Sequence, residues 1–143
     1  MSRVYICLDP GIATGMAVLD EGGEVRATST WGTAELRLSL DVLIRGLHIA
    51  GYSPTAVIEK MPPGKKGPLA DKLEAVRREI MLLVQETYEL PVIMITPGEW
   101  KTSREARTAR LPRSWERSAL TTHQKDAIRM GKYAAAREVV RAR

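Results

Sequence analysis

At 143 residues the chain is sized for one domain, 1–143, which can bury a core without staples; one cysteine and two histidines exclude an internal disulfide and a four-ligand structural zinc site. No basic, apolar, small-residue leader opens the sequence and no apolar run is long enough to span a bilayer, so an intracellular, reducing compartment, the cytoplasm, is expected. The net charge of +5 is uneven: residues 1–99 carry 10 Lys/Arg against 13 Asp/Glu and residues 100–143 carry 12 against 4, so the last third is either a surface for a polyanion or a solvated helical face.

Residues 4–8 form a short apolar run that contains Cys7, read as a buried small hydrophobe, and the run ends at Asp9-Pro10-Gly11. Residues 14–19 read as a second strand, Asp20-Glu21-Gly22-Gly23 as a hairpin turn and residues 24–31 as a third strand, which together predict an antiparallel meander. Leu36, Leu40, Leu43, Ile44 and Leu47 recur at helical spacing and predict a helix over 34–50, with Thr33 as N-cap and Gly51 as its end. Ala56-Val57-Ile58 is a short buried strand closed by Glu59, and the strand–helix–strand order predicts parallel pairing with the first strand. A Pro/Gly-rich loop over 61–68 leads to a second helix over 69–87, whose Leu69, Leu73, Val76, Ile80 and Leu83 make an apolar stripe. Residues 91–95 are a fifth strand, and Thr96-Pro97-Gly98-Glu99 is a helix start. Residues 101–121 are polar and basic with little periodicity, fitting a loop or short helices, and a last helix is predicted from Thr122 to about Val140. The order βββαβαβα points to an α/β fold with a mixed sheet covered by helices.

Three acidic positions are not required by such a fold. Asp9 ends a central apolar strand and Glu59 ends another, where carboxylates are costly unless paired, hydrated or metal-bound. Parallel strands would bring both to one sheet edge, where ligand sites of α/β folds lie. Asp126 is expected in the first turn of the last helix, with His123 three residues earlier on the same face. Oxygen ligands of this kind suit Mg²⁺, with Mn²⁺ as a substitute. Two such ions about 3.5–4 Å apart can clamp the attacking water and the leaving oxygen of a phosphodiester. Singly, each residue has a plainer reading: Asp9 as a turn former, Glu59 as a paired strand end, Asp126 as a helix-dipole partner and His123 as a surface or capping residue.

Taken together, the motifs resemble the RuvC-type Holliday-junction resolvases. Val4-Tyr5-Ile6-Cys7-Leu8-Asp9-Pro10-Gly11 with Thr14-Gly15 looks like their opening strand and turn, and Ala56-Val57-Ile58-Glu59 like their second catalytic strand. Leu90-Pro91-Val92-Ile93 through Thr96-Pro97-Gly98-Glu99-Trp100-Lys101 is similar to the strand and basic segment that follow the long helix. His123-Gln124-Lys125-Asp126-Ala127 resembles the terminal catalytic helix. The resemblance implies a ribonuclease H-like fold with a five-stranded mixed sheet. It implies a homodimer, two Mg²⁺ per active site and paired nicks across a four-way DNA junction. Asp9, Glu59, His123 and Asp126 would be the catalytic and metal-binding set. A helix-to-helix interface through 69–87 would form the dimer. Lys65, Lys66, Lys101, Arg104, Arg107, Arg110 and Arg113 are expected to contact DNA phosphates. A branch-migration helicase partner is not legible. The competing readings are a related nuclease acting on other branched DNA or on RNA precursors, a non-catalytic nucleic-acid binder, and an actin-like ATPase domain. The ATPase fold needs two such domains, and the chain supplies one.

Overall fold

A computed structural model describes residues 2–60, 64, 66–111 and 120–141. Five strands form one sheet in the order β3-β2-β1-β4-β5. The strands are β1 (Ser2–Asp9), β2 (Ala13–Asp20), β3 (Val25–Gly32), β4 (Tyr52–Glu59) and β5 (Val92–Ile95), and the helices are α1 (Thr33–Ile49), α2 (Pro68–Met81), α3 (Pro97–Lys101), α4 (Arg104–Thr108) and α5 (Thr122–Arg141). β1 pairs antiparallel with β2 and parallel with β4, and β4 pairs parallel with β5, so the expected mixed sheet and its meander are present. The meander's turn is closed by Asp20, whose Oδ1 accepts from the backbone N–H groups of Gly22 and Glu24, while Gly23 takes the positive φ that the turn requires.

The central strand is apolar throughout because helices cover both of its faces. Val4, Ile6 and Leu8 point into one core with Leu36, Leu40 and Ile44 of α1 and Val76 and Ile80 of α2. Tyr5 and Cys7 point into the other with Ala127, Ile128 and Met130 of α5 and Trp100 of α3.

Several boundaries differ from those predicted. Thr33 is already inside α1, so the N-cap is Gly32, whose N–H donates to Glu35 Oε1 at 2.9 Å. β4 starts at Tyr52 rather than Ala56; β5 pairs with it only from Ala56 onward, so among the described residues Pro54 has β1 alone as a neighbour strand and is tolerated there. The helix expected over 69–87 is α-helical only to Met81 and then widens into a π-helical segment, Leu82–Thr87, closed by the Tyr88 N–H to Leu83 carbonyl bond of 3.0 Å. Its stripe packs on the chain's own sheet from Val76 to Val84, whereas Leu69 is exposed. In the polar segment after β5, α3 and α4 are short helices capped by Thr96 and Ser103. Among the described residues no helix is long and apolar enough to cross a membrane.

Candidate active site

Strand periodicity places the first two carboxylates. Asp9 follows Tyr5 and Cys7 on the α5 face of β1, and Glu59 follows Val57 on the same face of β4. Leu8 is in register with Ile58, so the next residues, Asp9 and Glu59, end neighbouring parallel strands at one edge of the sheet. Asp9 is 6% exposed.

The other two residues arrive on α5. Thr121 caps this helix: its hydroxyl accepts from the Gln124 N–H at 3.1 Å, and Gln124 Oε1 accepts from the Thr121 N–H at 2.9 Å. Asp126 is therefore beyond the first turn, not in it as expected, and its described ion-pair partner is Arg129 at 3.8 Å. Glycines let α5 lie close against the sheet. A Cβ on Gly15 would stand 2.2 Å from the His123 backbone, and one on Gly131 would stand 2.6 Å from Cys7 Sγ. That approach sets His123 beside Asp9, with Nδ1 2.8 Å from Asp9 Oδ2. With Asp9 ionised, Nδ1 carries the shared proton and Nε2 is the free ring nitrogen. A Cβ on Gly11 would stand 3.2 Å from Nε2, so the absence of a side chain there leaves that nitrogen uncovered.

Burial pushes the Asp9 carboxyl up to about 6; the hydrogen bond with His123 opposes this, and the negative charges of Glu59 and Asp126 add to it. The other three residues singled out in the sequence, from the end of β4 and from α5, thus all act on the Asp9 carboxyl.

The donor types, three carboxylates and one imidazole, suit a hard divalent cation, and a cation would relieve the opposition to ionisation of Asp9 to which Glu59 and Asp126 contribute. Among the described residues no group of three His, Cys, Asp or Glu side chains is already arranged to hold a metal ion. Asp9 and Glu59 each engage an N–H group instead.

Two residues that the sequence did not flag hold Glu59. Trp100 Nε1 donates to Glu59 Oε2 at 2.8 Å, and Arg77 Nε donates to the Glu59 carbonyl at 3.2 Å. Burial lowers the Arg77 guanidinium from its usual range, while the charges of Glu59, Glu74 and Asp9 work the other way. No motif or periodicity links Glu59 to Trp100, which lies 41 residues away; only the β4–β5 pairing and the tight start of α3 bring them together.

The basic candidates are spread along the molecule. Lys65 and Arg113 lie outside the described residues. Lys66 is exposed before α2, and Lys101 is exposed at the site edge with its Nζ 5.5 Å from the Trp100 ring. Arg104 and Arg107 are exposed on α4. Arg110 lines a cleft of about 630 Å³ with Gly22, Gly23 and Lys132, at the hairpin end of the sheet, opposite Asp9. Much of the basic excess on α5 is used internally: Arg129 faces Asp126, Lys132 donates to the Gly23 carbonyl, Arg137 pairs with Glu99 and Arg141 with Glu138.

The strand order and helical layers define a ribonuclease H-like α/β fold, with an acidic cluster where its parallel strands end. Among solved structures the chain is similar to Thermus thermophilus RuvC in complex with a Holliday junction substrate, with a TM-score of 0.67 and 17% identity over 96% of each chain. It is similar also to a second structure of T. thermophilus RuvC, with a TM-score of 0.65 and 18% identity over 96% of each chain. The resemblance carried by the sequence motifs is therefore matched in the fold. No protein-family model and no curated protein sequence matches the chain.

Proposed function

We propose that the protein is a metal-dependent endonuclease that cuts branched DNA, four-way junctions above all. The observation that carries this reading is the buried Asp9, raised to about 6, facing Glu59, Asp126 and His123 at the ends of two parallel strands. A site of this kind is wasteful in a mere binder of nucleic acid, because unneutralised carboxylates repel phosphate.

Asp9, Glu59 and Asp126 would hold Mg²⁺ or Mn²⁺, two ions in the full site, with His123 contributing Nε2; such ions supply activation of water and shielding of the phosphate charge. Asp9, hydrogen-bonded to His123 and within the field of Glu59 and Asp126, would be the central ligand of that set. Lys101 stands at the site edge, where it would meet the strand being cut, and Lys66 is exposed in the segment that follows Glu59. Similarity to a RuvC solved with a Holliday junction supports the junction as substrate. A homodimer would set two such sites on opposing strands and allow paired nicks. Leu69, exposed at the start of α2, belongs to the apolar stripe that such an interface would cover. Light scattering at micromolar concentration tests the dimer, and a monomer would count against it.

The experiment is a cleavage panel with an immobile four-way junction, a linear duplex of the same sequence and a structured RNA, each with Mg²⁺. Nicking of the junction with sparing of the other two is expected. Preferential cleavage of RNA would move the function to RNA precursors, and cleavage of none would overturn the nuclease reading.

A further inference from the structure

We infer that Trp100 is a positioning residue for the metal site: its indole N–H holds the Glu59 carboxylate in place and ties it to the helix that carries His123 and Asp126. The inference rests on the proposed nuclease reading and adds to it a residue that the acidic set does not include.

Trp100 is 2% exposed, and its Nε1 donates to Glu59 Oε2 at 2.8 Å. A single donor on one oxygen fixes the rotation of the carboxylate and leaves Oε1 without a donor among the described residues. Phenylalanine or leucine would fill this part of the core and could not donate.

The indole is itself held. α3 starts directly after β5, and its first turn is locked by Thr96 and Glu99: the Thr96 N–H donates to Glu99 Oε1 at 3.3 Å, and the Glu99 N–H to Thr96 Oγ1 at 3.4 Å. Glu99 Oε2 then accepts from Arg137 Nη1 of α5 at 3.1 Å, with Tyr133 Oη at 3.5 Å. One connected path therefore runs from α5 through Glu99 and Trp100 to Glu59. The same helix presents His123 to Asp9. The orientation of Glu59 and the position of the two α5 residues share one scaffold, and this is what keeps a multi-residue site in register.

A buried indole N–H needs some acceptor, so Glu59 could serve Trp100 rather than the reverse. The two relations differ in what metal binding reports. The test measures Mn²⁺ affinity by electron paramagnetic resonance for wild type, Trp100→Phe, Glu59→Gln and the double variant, with thermal melts alongside. Trp100→Phe should bind Mn²⁺ roughly tenfold more weakly. In the Glu59→Gln background it should bring no further loss, because the carboxylate it orients is gone. Wild-type affinity within twofold in Trp100→Phe, or equal losses in both backgrounds, overturns the inference and leaves the nuclease reading standing. Failure of the wild type to bind Mn²⁺ at millimolar concentration overturns both.

A second measurement uses the wild-type fold, in case Trp100→Phe does not hold together. In protein labelled with ¹⁵N-tryptophan, one indole N–H resonance should be displaced by Glu59→Gln and should also move on titration with Mg²⁺. If no indole resonance does both, Trp100 does not position Glu59 for metal.

Discussion

His123 Nδ1 lies 2.8 Å from Asp9 Oδ2, a contact between residues 114 positions apart in the chain. It leaves Nε2 as the free ring nitrogen, and Thr121, not His123, caps the helix. His123→Ala should therefore lower the single-turnover nicking rate by roughly tenfold or more, the range seen when residues around a metal are removed. Junction affinity should stay within several-fold. A gel shift beside a nicking assay decides it, and a wild-type rate would remove His123 from the site.

Gly15 is the point where α5 lies against β2. A Cβ there would stand 2.2 Å from His123 backbone atoms, so Gly15→Ala must push the start of α5 away by about 1 Å or more to reach ordinary contact. A misplacement of that size costs roughly 10²-fold in rate at a preorganised site. The variant should keep its circular dichroism spectrum and its DNA affinity while losing cleavage. An alanine variant as active as wild type would mean that the close approach does not set the site.

The pH dependence of stability follows from Asp9. Its folded value, about 6, lies above the ordinary 3.8, so the folded state holds the proton more tightly than the unfolded state. The associated stability is fully present below about pH 4 and is lost as pH rises through about 6, a change of about 3 kcal/mol for the metal-free protein. Asn cannot ionise. Asp9→Asn in chelator should therefore resist urea better than wild type near pH 8, with the advantage shrinking toward pH 4. A variant less stable than wild type at both pH values would contradict the burial cost assigned to this carboxylate.

The basic residues should separate by place. Lys101→Ala, at the site edge, should weaken binding to all DNA substrates alike and lower the salt slope by about one counterion. Arg110→Ala should change the slope less, because Arg110 sits in the cleft at the hairpin end of the sheet. Fluorescence anisotropy over a salt series measures both, and equal slopes for the two variants would show that the DNA path also covers the far end.

Much of this was legible in the sequence because it depends on local patterns. The apolar run before Asp9, the turn at Asp20-Glu21-Gly22-Gly23 and the spacing of Leu36, Leu40 and Ile44 are short-range signals, and each became the expected element. Asp9 and Glu59 could be placed on one edge because parallel strands end together. The start of β4 was hidden by Pro54, which opposes a strand reading unless the missing neighbour is known. The π-helical end of α2 has no compositional mark, since Leu82–Thr87 continues the apolar rhythm of the helix before it. The holders of Glu59 were invisible for another reason. Trp100 and Arg77 reach it across 41 and 18 residues, through contacts that only the packed sheet and helices create. The basic third read as one surface, yet four of the five Lys/Arg side chains on α5 close on the protein's own carboxylates and carbonyls; charge counting cannot tell a used cation from a free one.

The measurement that tests the central claim most directly is nicking of an immobile four-way junction by wild type and by Asp9→Asn, each with Mg²⁺ and with excess chelator, and with binding followed in parallel. Asp9→Asn removes a charge at the centre of the acidic cluster and leaves the exposed cations in place. The account predicts that only wild type with Mg²⁺ nicks the junction, while both proteins bind it with affinities within several-fold. Cleavage by Asp9→Asn at the wild-type rate, or by wild type in excess chelator, would contradict it.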